Sequence, residues 1–316
     1  MHSITGTTFS LPEEARPAVA AAFAAAPTPG ADTDHLLDHG AKLLRNCLPP
    51  QLLADLADWR HQPTPWLTVT GLPATGRHLP TPLDGFCDEA TLGTANLVHF
   101  GLLRLLALSP VAYRWENEGR PIRNVAPRAE AADTQTSWGY AQPLDWHTDD
   151  SVLDHTAGAP AAEAIPHHLS FYGMRNTESV PTDLLLVEEV LAALPDSTVQ
   201  ALRRPEYAVT APESYASDGE EPAREAVPMV WTLPSGHPGL RYGPGRVTGL
   251  TEGAEAALAA FETRIAGLDG SSVLIGAGDF HVFDNRRVLH RRVPFTPAAP
   301  GAGRWLRRCY ALGATS

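Results

Sequence analysis

Apolar residues recur at helical spacing in the first third of the chain. Residues 11–26 (LPEEARPAVAAAFAAA) place acids early and alanines throughout, which predicts a helix. Residues 35–57 (HLLDHGAKLLRNCLPPQLLADLA) predict two short helices broken at Pro49-Pro50. WLTVTGLP, 66–73, has strand character and ends in a Gly-Leu-Pro turn, and 89–107 (EATLGTANLVHFGLLRLLA) returns to helical spacing. The texture then changes. IRNVAP (122–127), HHLSFYGM (167–174), LRYG (240–243) and SSVLIGAGDFHVFDN (271–285) are short, β-prone and bounded by turn residues. Residues 183–194 (DLLLVEEVLAAL) and 253–267 (GAEAALAAFETRIAG) read as helical insertions between strands. Residues 211–228 (APESYASDGEEPAREAVP) are polar, acidic and flanked by proline, the composition of a mobile lid. No repeat or linker divides the chain. The pattern therefore predicts one domain over 1–316, mainly β with flanking helices: a mostly helical layer over 1–84, then a β-core with helical insertions over 85–316.

Composition narrows the function classes. The 316 residues are 43% hydrophobic and 19% charged, as in ordinary globular enzymes, and the formal net charge is −12. Nucleic acids and anionic membranes are bound by basic surfaces, so neither is expected as a partner. Cys47, Cys87 and Cys309 are far apart and odd in number, which predicts reduced thiols and a cytoplasmic protein. The N-terminal stretch lacks the basic and apolar regions of a signal peptide, and the apolar runs are too short to span a bilayer.

The stretch DWHTDDSVLDH, 145–155, holds the chain's single H-x-[DE] pair, His147 and Asp149. In an extended segment these side chains fall on one side, as two ligands of a metal would. A non-heme iron site commonly adds a second histidine and leaves the opposite face open. His290, in GDFHVFDNRRVLHRRVPF (278–295), follows an apolar strand and a polar turn and is the candidate third ligand; His281 is its competitor. In GRWLRRCYAL (303–312), strand alternation puts Arg304 and Arg308 on one face with Leu306 between them, while Arg307 reads as a surface residue of an edge strand. A buried arginine needs an anion, and a carboxylate suits its fork.

Together, H-x-D, the distant DNRRVLH and the arginine fourteen residues beyond His290 resemble the iron(II)/2-oxoglutarate-dependent oxygenases of the taurine dioxygenase group. The similarity is greater to the clavaminate synthase-like branch, which includes β-hydroxylases of free arginine and asparagine, and it runs over roughly residues 85–312. The resemblance implies a double-stranded β-helix (jelly-roll, cupin-like) core with Fe(II) held by His147, Asp149 and His290. It implies 2-oxoglutarate bound through Arg304 and Thr182, with O2 as the further cosubstrate. Arg308, Ser137 and Tyr310 match substrate-side positions, and Asn117 is a candidate for the substrate amine. Arg241 and Arg246 are candidates for the substrate's tail. The sequence departs from the branch in three places: Asp149 stands where glutamate is frequent, LHRR replaces the usual His-Gly, and GLRYGPGRVTG (239–249) has no acid to grip a cationic tail. The implied activity is oxidation of an unactivated C–H of a free L-amino acid or close derivative, by hydroxylation, cyclisation such as cyclopropane formation, or desaturation, in specialised metabolism. A carboxylate at 149 implies oxygenation and no halogenation. Two other readings remain open: a cupin-type metal enzyme without cosubstrate, which leaves Arg304 unexplained, and a β-sandwich binding protein with structural histidines.

Overall fold

Two mainly antiparallel sheets face one another, and the residues singled out above divide between them. In this computed structural model the described residues are 6–27, 32–74, 78–211 and 223–313. The larger sheet contains β1 (Thr7–Ser10), β2 (Trp66–Thr70), β3 (Leu108–Val111), β4 (Ile122–Val125), β6 (His168–Arg175), β14 (Phe280–Asp284) and β16 (Trp305–Gly313). Its order is β1-β2-β14-β6-β16-β3, with β4 also pairing β16. The smaller sheet is β13-β7-β15-β5, from β5 (Leu144–His147), β7 (Thr182–Leu186), β13 (Ser271–Val273) and β15 (Val288–Arg292). Outside these lie a three-stranded sheet of β8 (Tyr207–Thr210), β9 (Ala223–Val227) and β12 (Val247–Gly249), and a ribbon of β10 (Val230–Thr232) and β11 (Pro238–Leu240).

Strand alternation sorts the core into two layers. Phe171, Phe283, Leu306 and Tyr310 of the larger sheet share a buried cluster with Leu184 and Val288 of the smaller. The opposite face of the larger sheet, through Tyr172, Phe280, Val282, Trp305 and Cys309, packs on the helical layer. That layer is α1 (Arg16–Ala24), α2 (Thr33–Cys47), α3 (Pro50–His61) and α4 (Gly93–Leu105). Helices α2 and α4 touch backbone to backbone at two glycines: a Cβ on Gly40 would lie 2.1 Å from the Leu97 carbonyl oxygen. Of the further helices, α5 (Val187–Ala192) continues from β7, and α7 (Glu252–Ala266) packs on α6 (Asp196–Leu202) and on β12. Mainly β with flanking helices and a jelly-roll core, the architecture is the one expected. No helix among the described residues is long and apolar enough to cross a membrane.

Three local expectations need correction. Residues 182–186 form strand β7, and the helix begins only at Val187; pairing on both sides, with β13 and β15, overrides the helical reading of Leu184–Leu186. Residues 223–227, assigned to the lid, form strand β9 against β8, and 212–222 lie outside the described residues. Arg307 is fully buried, because β16 is central in its sheet; its guanidinium meets Glu89, Asn96 and Asn124.

Candidate metal centre and active site

β5 and β15 run antiparallel with His147 directly opposite His290, and the two rings are 4.1 Å apart between centroids. Asp149 lies two residues past His147, where the chain leaves the strand and turns through a left-handed Asp150 (φ 53°). A buried asparagine fixes this exit. The Asp149 backbone N–H donates to Asn285 Oδ1 at 2.8 Å, and Asn285 Nδ2 donates to the carbonyls of Asp149 (3.0 Å) and Pro166 (3.1 Å). As a result, one ligand-type atom from each of His147, Asp149 and His290 lies within 4.8 Å of the others. Asp149 Oδ1 is 3.2 Å from His147 Nε2 and 3.6 Å from His290 Nε2.

The donor atoms suit a cation. His147 Nδ1 donates to the Asp145 carbonyl at 2.7 Å, which leaves Nε2 as the ring nitrogen turned toward Asp149. Burial, with help from His147, lowers the His290 pKa to about 4, against the pull of Asp149. Burial works to raise the Asp149 pKa, but hydrogen bonds from His147 and His290 and the charges of His290 and Arg308 hold it well below the usual value. Two imidazole nitrogens and one carboxylate oxygen are the donor set of a facial iron(II) site.

From the opposite sheet, β16 reaches the same carboxylate. Arg308 Nη1 donates to Asp149 Oδ2 at 3.1 Å and the Tyr310 hydroxyl donates to it at 2.9 Å. The network continues away from the triad. Arg308 Nη2 donates to Glu116 Oε1; Arg123 Nη1 donates to the same oxygen at 3.1 Å, and Arg123 Nε donates to Ser137 Oγ at 2.8 Å. Burial disfavours the charge on Arg308, yet Glu116, Tyr310 and Asp149 hold its pKa well above the ordinary value. The Arg123 guanidinium also lies over the Trp138 ring, 4.0 Å from its centroid.

Arg304 stands just before β16 and is buried. Its backbone N–H donates to Glu178 Oε1 at 3.0 Å, but its side chain makes no ion pair among the described residues, and its Nε has no hydrogen-bond partner. Burial and the nearby charge of Arg292 lower its pKa to about 9, against Glu178. Such a cation is a seat for an anion. Thr182 opens β7 and is buried. The pairing of β7 with β15 sets Leu184 opposite His290, so Thr182 falls on the same inward face.

Other candidates fall elsewhere. Asn117 does not face the site: its Nδ2 donates to the Arg120 and Ile122 carbonyls at 3.0 and 2.7 Å, closing a turn in which its own φ is 52°. Its neighbour Glu116 takes the buried place. Arg241 is fully buried behind the loop after Asp149, donating to the Ser151 and Leu153 carbonyls (3.0 and 3.2 Å) and to His155 Nδ1 (2.7 Å). Arg246 is half-buried and donates to the Ala211 carbonyl at 3.1 Å. His281 belongs to the larger sheet, bonded to Thr68 Oγ1 at 2.9 Å, apart from the triad. Glu116, Arg123 and Asn285 escaped the sequence reading. Their one signal was adjacency to motifs already noted.

A facial triad on one wall of a jelly-roll, faced by buried arginines from the other, defines a non-heme iron dioxygenase of the 2-oxoglutarate-dependent class. The chain belongs to the TauD/TfdA dioxygenase family: the family model "Taurine catabolism dioxygenase TauD, TfdA family" matches residues 187–310. The L-asparagine oxygenase of Streptomyces coelicolor is 30% identical over 274 residues, covering 84% of this chain and 76% of that one. The enduracididine beta-hydroxylase of Streptomyces hygroscopicus is 25% identical over 276 residues, covering 77% and 75%. Among solved structures, asparagine oxygenase in complex with Fe(II), 2S,3S-3-hydroxyasparagine and succinate superposes with a TM-score of 0.79 at 25% identity, covering 96% of this chain and 93% of that one.

Proposed function

We propose that the protein oxidises an unactivated C–H bond of a free L-amino acid or a close derivative. His147, Asp149 and His290 hold Fe(II), and Arg304 with Thr182 receives the distal carboxylate of 2-oxoglutarate. When bound, iron and 2-oxoglutarate supply the oxidising chemistry, consuming O2 and yielding succinate and CO2. The chain's own residues bind, orient and exclude water.

The observation that carries the substrate class is the Arg123–Glu116–Arg308 cluster against Asp149. Arg308 and Ser137 offer donors to an α-carboxylate, and Glu116 offers a carboxylate to an α-ammonium. Two arginines already balance Glu116 and Asp149, so a net-neutral zwitterion adds no uncompensated charge to this buried site. The enduracididine beta-hydroxylase and asparagine oxygenase relatives support the same class.

Incubation with Fe(II), 2-oxoglutarate, O2 and individual L-amino acids tests the reading. The expected result is succinate formation that depends on one amino acid, with product mass reporting hydroxylation (one oxygen gained) or cyclisation and desaturation (two hydrogens lost). Turnover without 2-oxoglutarate would favour the cupin-type reading instead.

A further inference from the structure

Arg292 is a buried guanidinium that the site as described leaves unused. It follows His290 by two residues on β15, so strand alternation turns both to the inward face. β15 pairs β7 with His290 opposite Leu184 and Arg291 opposite Asp183; one further step sets Arg292 beside Thr182. Its Nη1 and Nη2 donate to the carbonyls of Val293 (3.0 Å) and Gln142 (3.3 Å), both neutral acceptors, and its Nε has no partner. Arg304 comes from the other sheet in the same condition, buried and with an unpartnered Nε, and is near enough to feel the charge of Arg292. Neither guanidinium is in an ion pair among the described residues. Glu178 is the acid at Arg304, but one of its oxygens is held by the backbone N–H groups of Ala298 and Arg304. Two cations and one carboxylate leave a single positive charge uncompensated, and one more carboxylate would neutralise it.

We propose that Arg292 is a specificity-determining residue of the cosubstrate pocket, forming with Arg304 a two-guanidinium cradle for the distal carboxylate of the 2-oxo acid. This rests on the 2-oxoglutarate-dependent reading of the site. Its chemical consequence is a strict requirement for a dicarboxylic 2-oxo acid, since a monocarboxylic one leaves both buried cations facing an apolar methyl.

The test is an anaerobic titration of 2-oxoglutarate into the Fe(II)-loaded protein, followed by the visible charge-transfer absorption of the chelate. Wild type, Arg292→Gln, Arg292→Lys and Arg304→Gln are compared, alongside thermal unfolding of each protein without metal or ligand. Arg292→Gln is expected to weaken 2-oxoglutarate binding by at least about tenfold, the size of one charge-assisted contact. Its ligand-free unfolding temperature is expected to be unchanged or higher, because a like charge beside Arg304 is gone. Arg292→Lys recovers affinity. A normal affinity in Arg292→Gln, with or without a lowered unfolding temperature, overturns the proposal and leaves Arg292 as a brace for the Gln142 carbonyl. A wild-type protein with no absorption band overturns the 2-oxoglutarate reading itself, whatever the variants do.

Discussion

Tyr310 donates its phenolic hydrogen bond to Asp149 Oδ2 at 2.9 Å from the sheet opposite the histidines. With Arg308 on the same oxygen, it leaves Oδ1 as the atom turned toward His147 and His290. Two residues outside the triad thus fix the carboxylate's orientation, and Oδ1 is the atom that would ligate a metal. Removing the hydroxyl should loosen that orientation. Tyr310→Phe is expected to lower Fe(II) affinity by about 10–100-fold, as loss of an outer partner of a metal ligand typically does. Metal titration of the purified variant checks this, and an unchanged affinity would make Tyr310 a packing residue.

Glu116 and Asn117 are neighbours with opposite expected phenotypes. Glu116→Ala strips the common carboxylate from Arg123 and Arg308. Breaking a buried pair this way costs about 3–5 kcal/mol, and amino-acid turnover should collapse through a higher KM. Asn117→Ala loses the two turn hydrogen bonds of its amide at a positive φ. It should cost about 1 kcal/mol while leaving KM within a factor of about two. Urea unfolding and steady-state kinetics on the two variants separate the roles.

The same pair shows what was legible in the sequence. His147, Asp149 and His290 carried ordered signals: a period-two pair and a histidine after a turn between strands. Arg304 and Arg308 followed from alternation along one strand. Glu116 had no such signal, because it sits in an irregular turn where no periodicity says which side chain faces inward. Arg307 was misplaced for a different reason. Alternation correctly set it on the face opposite Arg308, but whether that face is solvent or a helical layer depends on α4, which is distant in sequence. Leu184–Leu186 were read as helix because a short apolar run is the same signal in a buried strand. The jelly-roll itself came from family resemblance, since local patterning yields strands and not their order.

Acid should destabilise the fold through buried histidines away from the site. Burial, with the charge of Arg307, lowers the His99 pKa to about 3, and burial alone takes His281 to about 3. Unfolded, each would protonate near ~6.5. Between these values the unfolded state binds more protons, so stability rises with pH across the window. The contribution is complete above about 6.5 and is lost progressively as pH falls toward 3. The urea midpoint is expected to be flat from neutral to mildly alkaline pH and to drop below ~6.5. His281→Gln should make that drop shallower.

In the proposed reading, His147, Asp149 and His290 hold iron to which 2-oxoglutarate chelates, with Arg304 on its far carboxylate. Anaerobic addition of Fe(II) and then 2-oxoglutarate to the metal-free protein tests it most directly. The wild type should show a weak visible charge-transfer band, absent in His147→Ala and requiring far more cosubstrate in Arg304→Ala. Iron binding without the band would contradict the cosubstrate assignment, and no iron binding at all would contradict the metal centre.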